Sequence, residues 1–93
     1  MRTTDEQDQL EKEKARQIVA EVPLIPEVQS IDVELYTDNT GDPALQLIFR
    51  IKPEVEVDGT FIKRFNTFAA TVQTRILHSD IPRFPYARIR QVA

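Results

Sequence analysis

Phe61, Phe65, Phe68, Val72 and Ile76 recur at intervals of three and four, with Ile62 and Ala69 beside them. Only an amphipathic helix of about five turns gathers that spacing onto one side. The segment is rich in threonine and aromatic residues, whose intrinsic helix propensity is mediocre, so the helix must draw its stability from laying the phenylalanine row on something apolar. A competing local signal precedes it. In VEVDGTFI the pair Asp58-Gly59 sits between alternating residues, as in a two-residue hairpin. The longer periodic pattern decides for the helix, with Asp58 or Thr60 as its cap.

The apolar surface that this helix needs is supplied upstream by a pattern of period two. Ile31, Val33 and Leu35 alternate with Asp32, Glu34 and Tyr36, which predicts a half-buried strand. A second strand is predicted from Ala44 to Lys52, with Leu45, Leu47, Phe49 and Ile51 on one side and Gln46, Ile48, Arg50 and Lys52 on the other. Between them lies YTDNTGDPAL. If Leu35 faces Leu47 and Val33 faces Phe49, then Thr40, Gly41 and Asp42 form a three-residue loop, Gly41 takes the positive φ, and Asp32 stands opposite Arg50. Pro43 starts the returning strand. Asp38, Asn39 and Asp42 also suggest calcium ligands, but no acid follows Asp42 until Glu54, which breaks the spacing of a calcium loop. The segment is therefore read as a turn.

At the N-terminal end, Thr4 to Val22 is predicted to be helical, capped by Thr4 or Asp5 and ended by Pro23. Leu10, Ala15, Ile18, Val19 and Val22 are its candidate core residues. That face is poor at the start, so residues 1 to 9 are expected to fray or project into solvent. VPLIPEVQ forms a connector. At the other end, two prolines and Phe84 make a rigid crossing into a third strand, where Ala87 and Ile89 alternate with Tyr86, Arg88 and Arg90. The expected architecture is one α+β domain of order α-β-β-α-β. A right-handed crossover returns the last strand parallel to the second, and both helices cover one face of a three-stranded mixed sheet.

Composition excludes several function classes. The 93 residues contain no cysteine and one histidine, His78, which removes disulfides, thiolate sites and multi-histidine metal centres. His78 falls near a helix C-terminus without partners for a general base. No apolar run approaches the roughly 18 residues of a membrane span, and the N-terminus does not read as a signal peptide, so a cytoplasmic location is expected. There is no phosphate-binding glycine loop and no metalloprotease motif, so no enzymatic activity, cofactor or metal is expected. Charge is uneven. Residues 1 to 58 hold 14 acids against 6 bases, a net of −8, and residues 59 to 93 hold 1 acid against 6 bases, a net of +5. Such halves attract each other within one fold or offer a basic surface to an anion.

Covering one face of the sheet leaves the other open. Its expected occupants include Tyr36, Ile48, Arg50, Lys52, Tyr86, Arg88 and Arg90, which are the candidate partner-binding residues. Tyrosine and arginine are favoured interface anchors. The same surface suits protein binding, homodimerisation, or stacking of single-stranded RNA or DNA. A net charge of −3 counts against nucleic acid.

The run GDPALQLIFRIKPE, followed by a helix and then RFPYARI, resembles an uncharacterised group of short bacterial proteins. These share a helix, a hairpin with a GDPA-type turn, a second helix and a terminal strand. The likeness covers about residues 10 to 90. Members tend to be encoded beside a small helical HEPN-domain protein, so the resemblance implies a protein partner and an antitoxin-like or accessory role. Residues 27 to 35 with the following strand and helix are also similar to the cytoplasmic domain of cation-diffusion transporters, a dimerising αββαβ module. This chain lacks the membrane helices and metal-binding histidines of that group.

Overall fold

A computed structural model describes residues 3 to 92. Its elements run α1 (Thr3–Ala20), β1 (Val28–Thr37), β2 (Pro43–Ile51), α2 (Gly59–Leu77) and β3 (Phe84–Gln91). The sheet order is β1-β2-β3, with β1 antiparallel and β3 parallel to β2. This is the α+β arrangement with a mixed three-stranded sheet that the two periodicities predict.

The phenylalanine row is helical, and Asp58 starts it. Asp58 sits in an extended conformation, and its carboxylate accepts the Phe61 N–H at 2.9 Å, so Asp58-Gly59 is a helix entry and not a hairpin. Satisfying one of the free N-terminal donors in this way stabilises the helix by about 0.5 to 2 kcal/mol. Asp58→Ala is accordingly expected to lower the unfolding free energy by an amount in that range, read as a lower urea midpoint with the slope of the transition unchanged. His78 closes the other end as C-cap, its amide donating to Thr74 and Ile76 carbonyls.

Both helices lie on one side of the sheet and share a single core. Leu45, Leu47, Phe49 and Ile51 of β2 are fully buried beneath Phe61, Phe65, Phe68, Val72 and Ile76 of α2 and Ala15, Val19 and Val22 of α1. Phe49 sits at its middle, edge-on to Phe65 at 5.0 Å and to Phe68 at 5.9 Å. Central position in the sheet puts β2 under both helices, which is why its inner face is wholly apolar.

The hairpin register differs from expectation by two residues. Leu35 pairs with Leu45 and Val33 with Leu47, and the loop is Asn39, Thr40 and Gly41, closed by Asp38 and Asp42. A shift of two keeps every side chain on its expected face, so patterning alone cannot choose between the registers. The Asp38 carboxylate does. Its Oδ1 accepts from Thr40 N at 3.0 Å, Thr40 Oγ1 at 2.7 Å and Asp42 N at 2.9 Å, which fixes the turn one residue earlier. Gly41 has φ 86°, the left-handed conformation a glycine takes without a Cβ penalty. Asp32 now faces Ile48, yet its carboxylate still reaches Arg50 diagonally at 2.7 Å. An irregularity between Val28 and Ser30 lets Val28 join the core although it differs in parity from Ile31 and Val33.

The start of α1 also departs from expectation. The helix is formed from Thr3, so Thr4 and Asp5 lie inside it, and the cap position falls outside the described residues. Leu10 is 61% exposed and does not face the core. In its place the inner side of α1 presents Asp8 and Glu11 to Arg83, which is only 8% exposed. Asp8 lies within the span expected to fray or project into solvent, and its carboxylate accepts from Arg83. The remaining expectation for residues 1 and 2 falls outside the described residues.

Candidate functional site

The face of the sheet opposite the helices is organised in rows by the strand registers. Across β1, β2 and β3 these rows are Tyr36-Ala44-Phe84, Glu34-Gln46-Tyr86, Asp32-Ile48-Arg88 and Ser30-Arg50-Arg90. Alternate residues of a strand share a face, so the parallel return of β3 is what brings Tyr86, Arg88 and Arg90 alongside the even-numbered residues of β2. Six of the seven predicted residues therefore share one surface. Lys52 follows the end of β2, its amide held by the Glu27 carbonyl at 3.0 Å.

Their environments are not alike. At one end Phe84, Tyr86 and Tyr36 form an aromatic cluster, Tyr86 lying edge-on to Phe84 at 4.8 Å and to Tyr36 at 5.9 Å. Phe84 is 48% exposed and Tyr86 38%. Phe84 belongs to this face and not to the crossing that precedes the strand, because it shares the parity of Tyr86. Only the proline between them obscures the alternation. The Tyr86 hydroxyl donates to Asp38 Oδ2 at 3.2 Å, so this ring and the hairpin tip are joined. Burial first, and then the bond to Asp38, push the Tyr86 hydroxyl above its ordinary pKa. The Thr40 hydroxyl, then the Asp42 amide, hold the Asp38 carboxyl below the usual range. A groove of about 450 Å³ opens here between Tyr36, Asp38, Gln46, Tyr86 and Arg88.

At the other end lie the cations. Arg50 is bound to Asp32 and both side chains are little more than a third exposed. Arg88 and Arg90 are exposed, and among the described residues neither has an acidic partner. Ile48 is the exception in the predicted set. It is only 8% exposed, although it stands in the row between Asp32 and Arg88. Charge is thus graded across the face, with Asp32 and Glu34 on β1 and Arg88 and Arg90 on β3.

Sequence reasoning missed Arg83. Its Nε donates to Glu11 Oε1 at 2.6 Å, Nη2 to Asp8 Oδ1 at 2.6 Å, and Nη1 to the Ala44 carbonyl at 3.0 Å, so every face of the guanidinium is used inside the fold. A charged residue beside a proline gives no signal for such burial. Among the described residues, no three histidine, aspartate or glutamate side chains converge as a metal ion requires, and no helix is long and apolar enough to cross a membrane. What the face offers a ligand is aromatic edges, an amide and guanidinium donors. No protein-family model matches the chain, and no curated protein or solved structure is similar to it.

Proposed function

We propose that this chain is a small protein-binding module without chemistry of its own, an accessory or antitoxin-like subunit of a bacterial complex, and that the open sheet face makes the contact. One observation carries the reading. A cluster of three aromatic rings, with Phe84 and Tyr86 exposed, stands on an uncovered face next to two arginines that have no acidic partner among the described residues. Buried against a partner, such rings and guanidinium groups supply most of an interface's energy, while the flanking polar residues exclude water.

The size of the face limits what it does alone. Three strands of eight or so residues span roughly 400 to 500 Å², against about 800 Å² per partner in a stable protein interface. Self-association through this face alone is therefore weak, and the contact with a partner extends past the sheet. A photo-crosslinking residue placed at position 84 in the native host should give a discrete protein adduct, and one at Thr71 on the outer side of α2 should not. Arg88→Glu should remove the adduct at position 84. Equal yields from both positions overturn the reading.

The aromatic cluster also favours a second reading, single-stranded nucleic acid stacked on the rings. Against it, the rings stand edge-on to one another, at 63° and 74°, and Glu34 and Asp38 border them. Adducts at position 84 that nuclease destroys, with binding that falls steeply as salt rises, would establish that alternative.

A further inference from the structure

We infer that the partner contributes an extended peptide with acidic residues at alternate positions, which pairs along the outer edge of β3 as a fourth strand. The inference rests on the protein-binding reading above and names the partner's chemistry.

β3 is an edge strand, so half of its backbone groups have no strand to pair with. The Val92 N–H donates to the Ile51 carbonyl at 2.8 Å, which sets the phase. Even-numbered residues turn their N–H and C=O toward β2, and Ala87, Ile89 and Gln91 turn theirs outward. Edges are commonly blunted by bulges, prolines or charged side chains. Here a proline blocks the start, and beyond it Arg88 and Arg90 set charge beside an edge whose backbone stays open. Pro85 has no N–H, and its carbonyl accepts from Gln73 Nε2 at 2.8 Å. Beyond it the register with β2 continues unbroken to Gln91, and Ala87 to Gln91 are exposed.

Charge selects the occupant. A fourth strand would set side chains beside Arg88 and Arg90 on the open face and beside Ala87 and Ile89 on the other. That arrangement favours two acids separated by one apolar residue. It also discriminates between the two edges of the sheet, because β1 carries Asp32 and Glu34 on the same face and an irregularity at its start. A second copy of β3 fits poorly. Centring an antiparallel pair on Arg88 sets arginine against arginine, centring it on Ile89 sets Arg88 against Arg90, and centring it on Ala87 brings Ile89 to the already blocked Pro85.

Fluorescence anisotropy tests this with three labelled peptides. One alternates glutamate and valine, one alternates lysine and valine, and one is the glutamate peptide carrying N-methyl groups on two adjacent central amides, which blocks both of its edges. The glutamate peptide should bind, and the other two should bind at least about tenfold more weakly. Ile89→Pro removes an outward donor and no bond to β2, so it should weaken the glutamate peptide by a similar factor while circular dichroism stays unchanged. Arg88→Glu with Arg90→Glu should reverse the preference toward lysine. Absence of binding up to about 1 mM, or equal binding of the N-methylated peptide, overturns strand addition. The adduct at position 84 decides the protein-binding reading separately. Self-association of the chain that Ile89→Pro abolishes would make a second copy the occupant and also overturn the inference.

Discussion

Arg83→Ala is expected to destabilise the protein by about 3 to 5 kcal/mol, a large part of the 5 to 15 kcal/mol that holds a typical domain together. The guanidinium is buried, and its loss strands the Glu11 carboxylate, 7% exposed, without its ion partner. Removing both charges should cost far less. Arg83→Met combined with Glu11→Leu is expected to recover most of the loss, because two apolar side chains carry no desolvation penalty. Urea unfolding followed by circular dichroism measures all three proteins. The effect should also depend on pH. Burial alone would push the Glu11 carboxyl up, but bonds from Gln7 and Arg83 outweigh it and hold the group below its ordinary value of 4.5. A lowered native pKa contributes stability that is present above 4.5 and lost as pH falls through the native value. In Arg83→Ala the bond from Gln7 remains but the guanidinium's share of that counterweight is lost, so the gap between variant and wild type should narrow in acid. A constant gap would mean that Glu11 is not the group left stranded.

Phe49→Ala should produce a loss of the same order, about 3 to 5 kcal/mol, from a different cause. Phe49 is fully buried at the crossing of β2 with α2, and its ring meets two others edge-on. Truncation removes the transfer energy of the ring, leaves a cavity that strands on both sides prevent from collapsing, and forfeits two aromatic contacts worth about 0.5 to 1.5 kcal/mol each. Phe49→Leu should cost less because it leaves a smaller void. Thermal unfolding of the two variants gives the order, and a Phe49→Ala protein as stable as wild type would remove β2 from the centre of the core.

Periodicity made the elements legible because burial on one side of a helix or strand writes itself into the sequence at 3.6 or 2 residues. Tyr36, Arg50, Tyr86, Arg88 and Arg90 could be assigned to one face for the same reason. Three features escaped. Parity is blind to a register shift of two, and the shift was settled by which donors the Asp38 carboxylate accepts. Parity also assigns a face and says nothing of shielding, so it places Ile48 among the accessible residues although Ile48 is only 8% exposed. Asp8 and Glu11 read as solvated because charges on a helix usually are, and their partner lies far along the chain.

That last separation has a kinetic meaning. Arg83 stands 72 residues from Glu11 and 75 from Asp8, so these contacts close loops that span most of the 93-residue chain. Closing a loop costs entropy that grows with its span, so the β1-β2 hairpin and α2 can assemble first while the latch across the two ends of the chain waits. Interactions absent from the folding transition state act on the rate of opening and leave the rate of assembly nearly untouched. By that logic the three carboxylate and guanidinium side chains set how long the native state survives once it has formed.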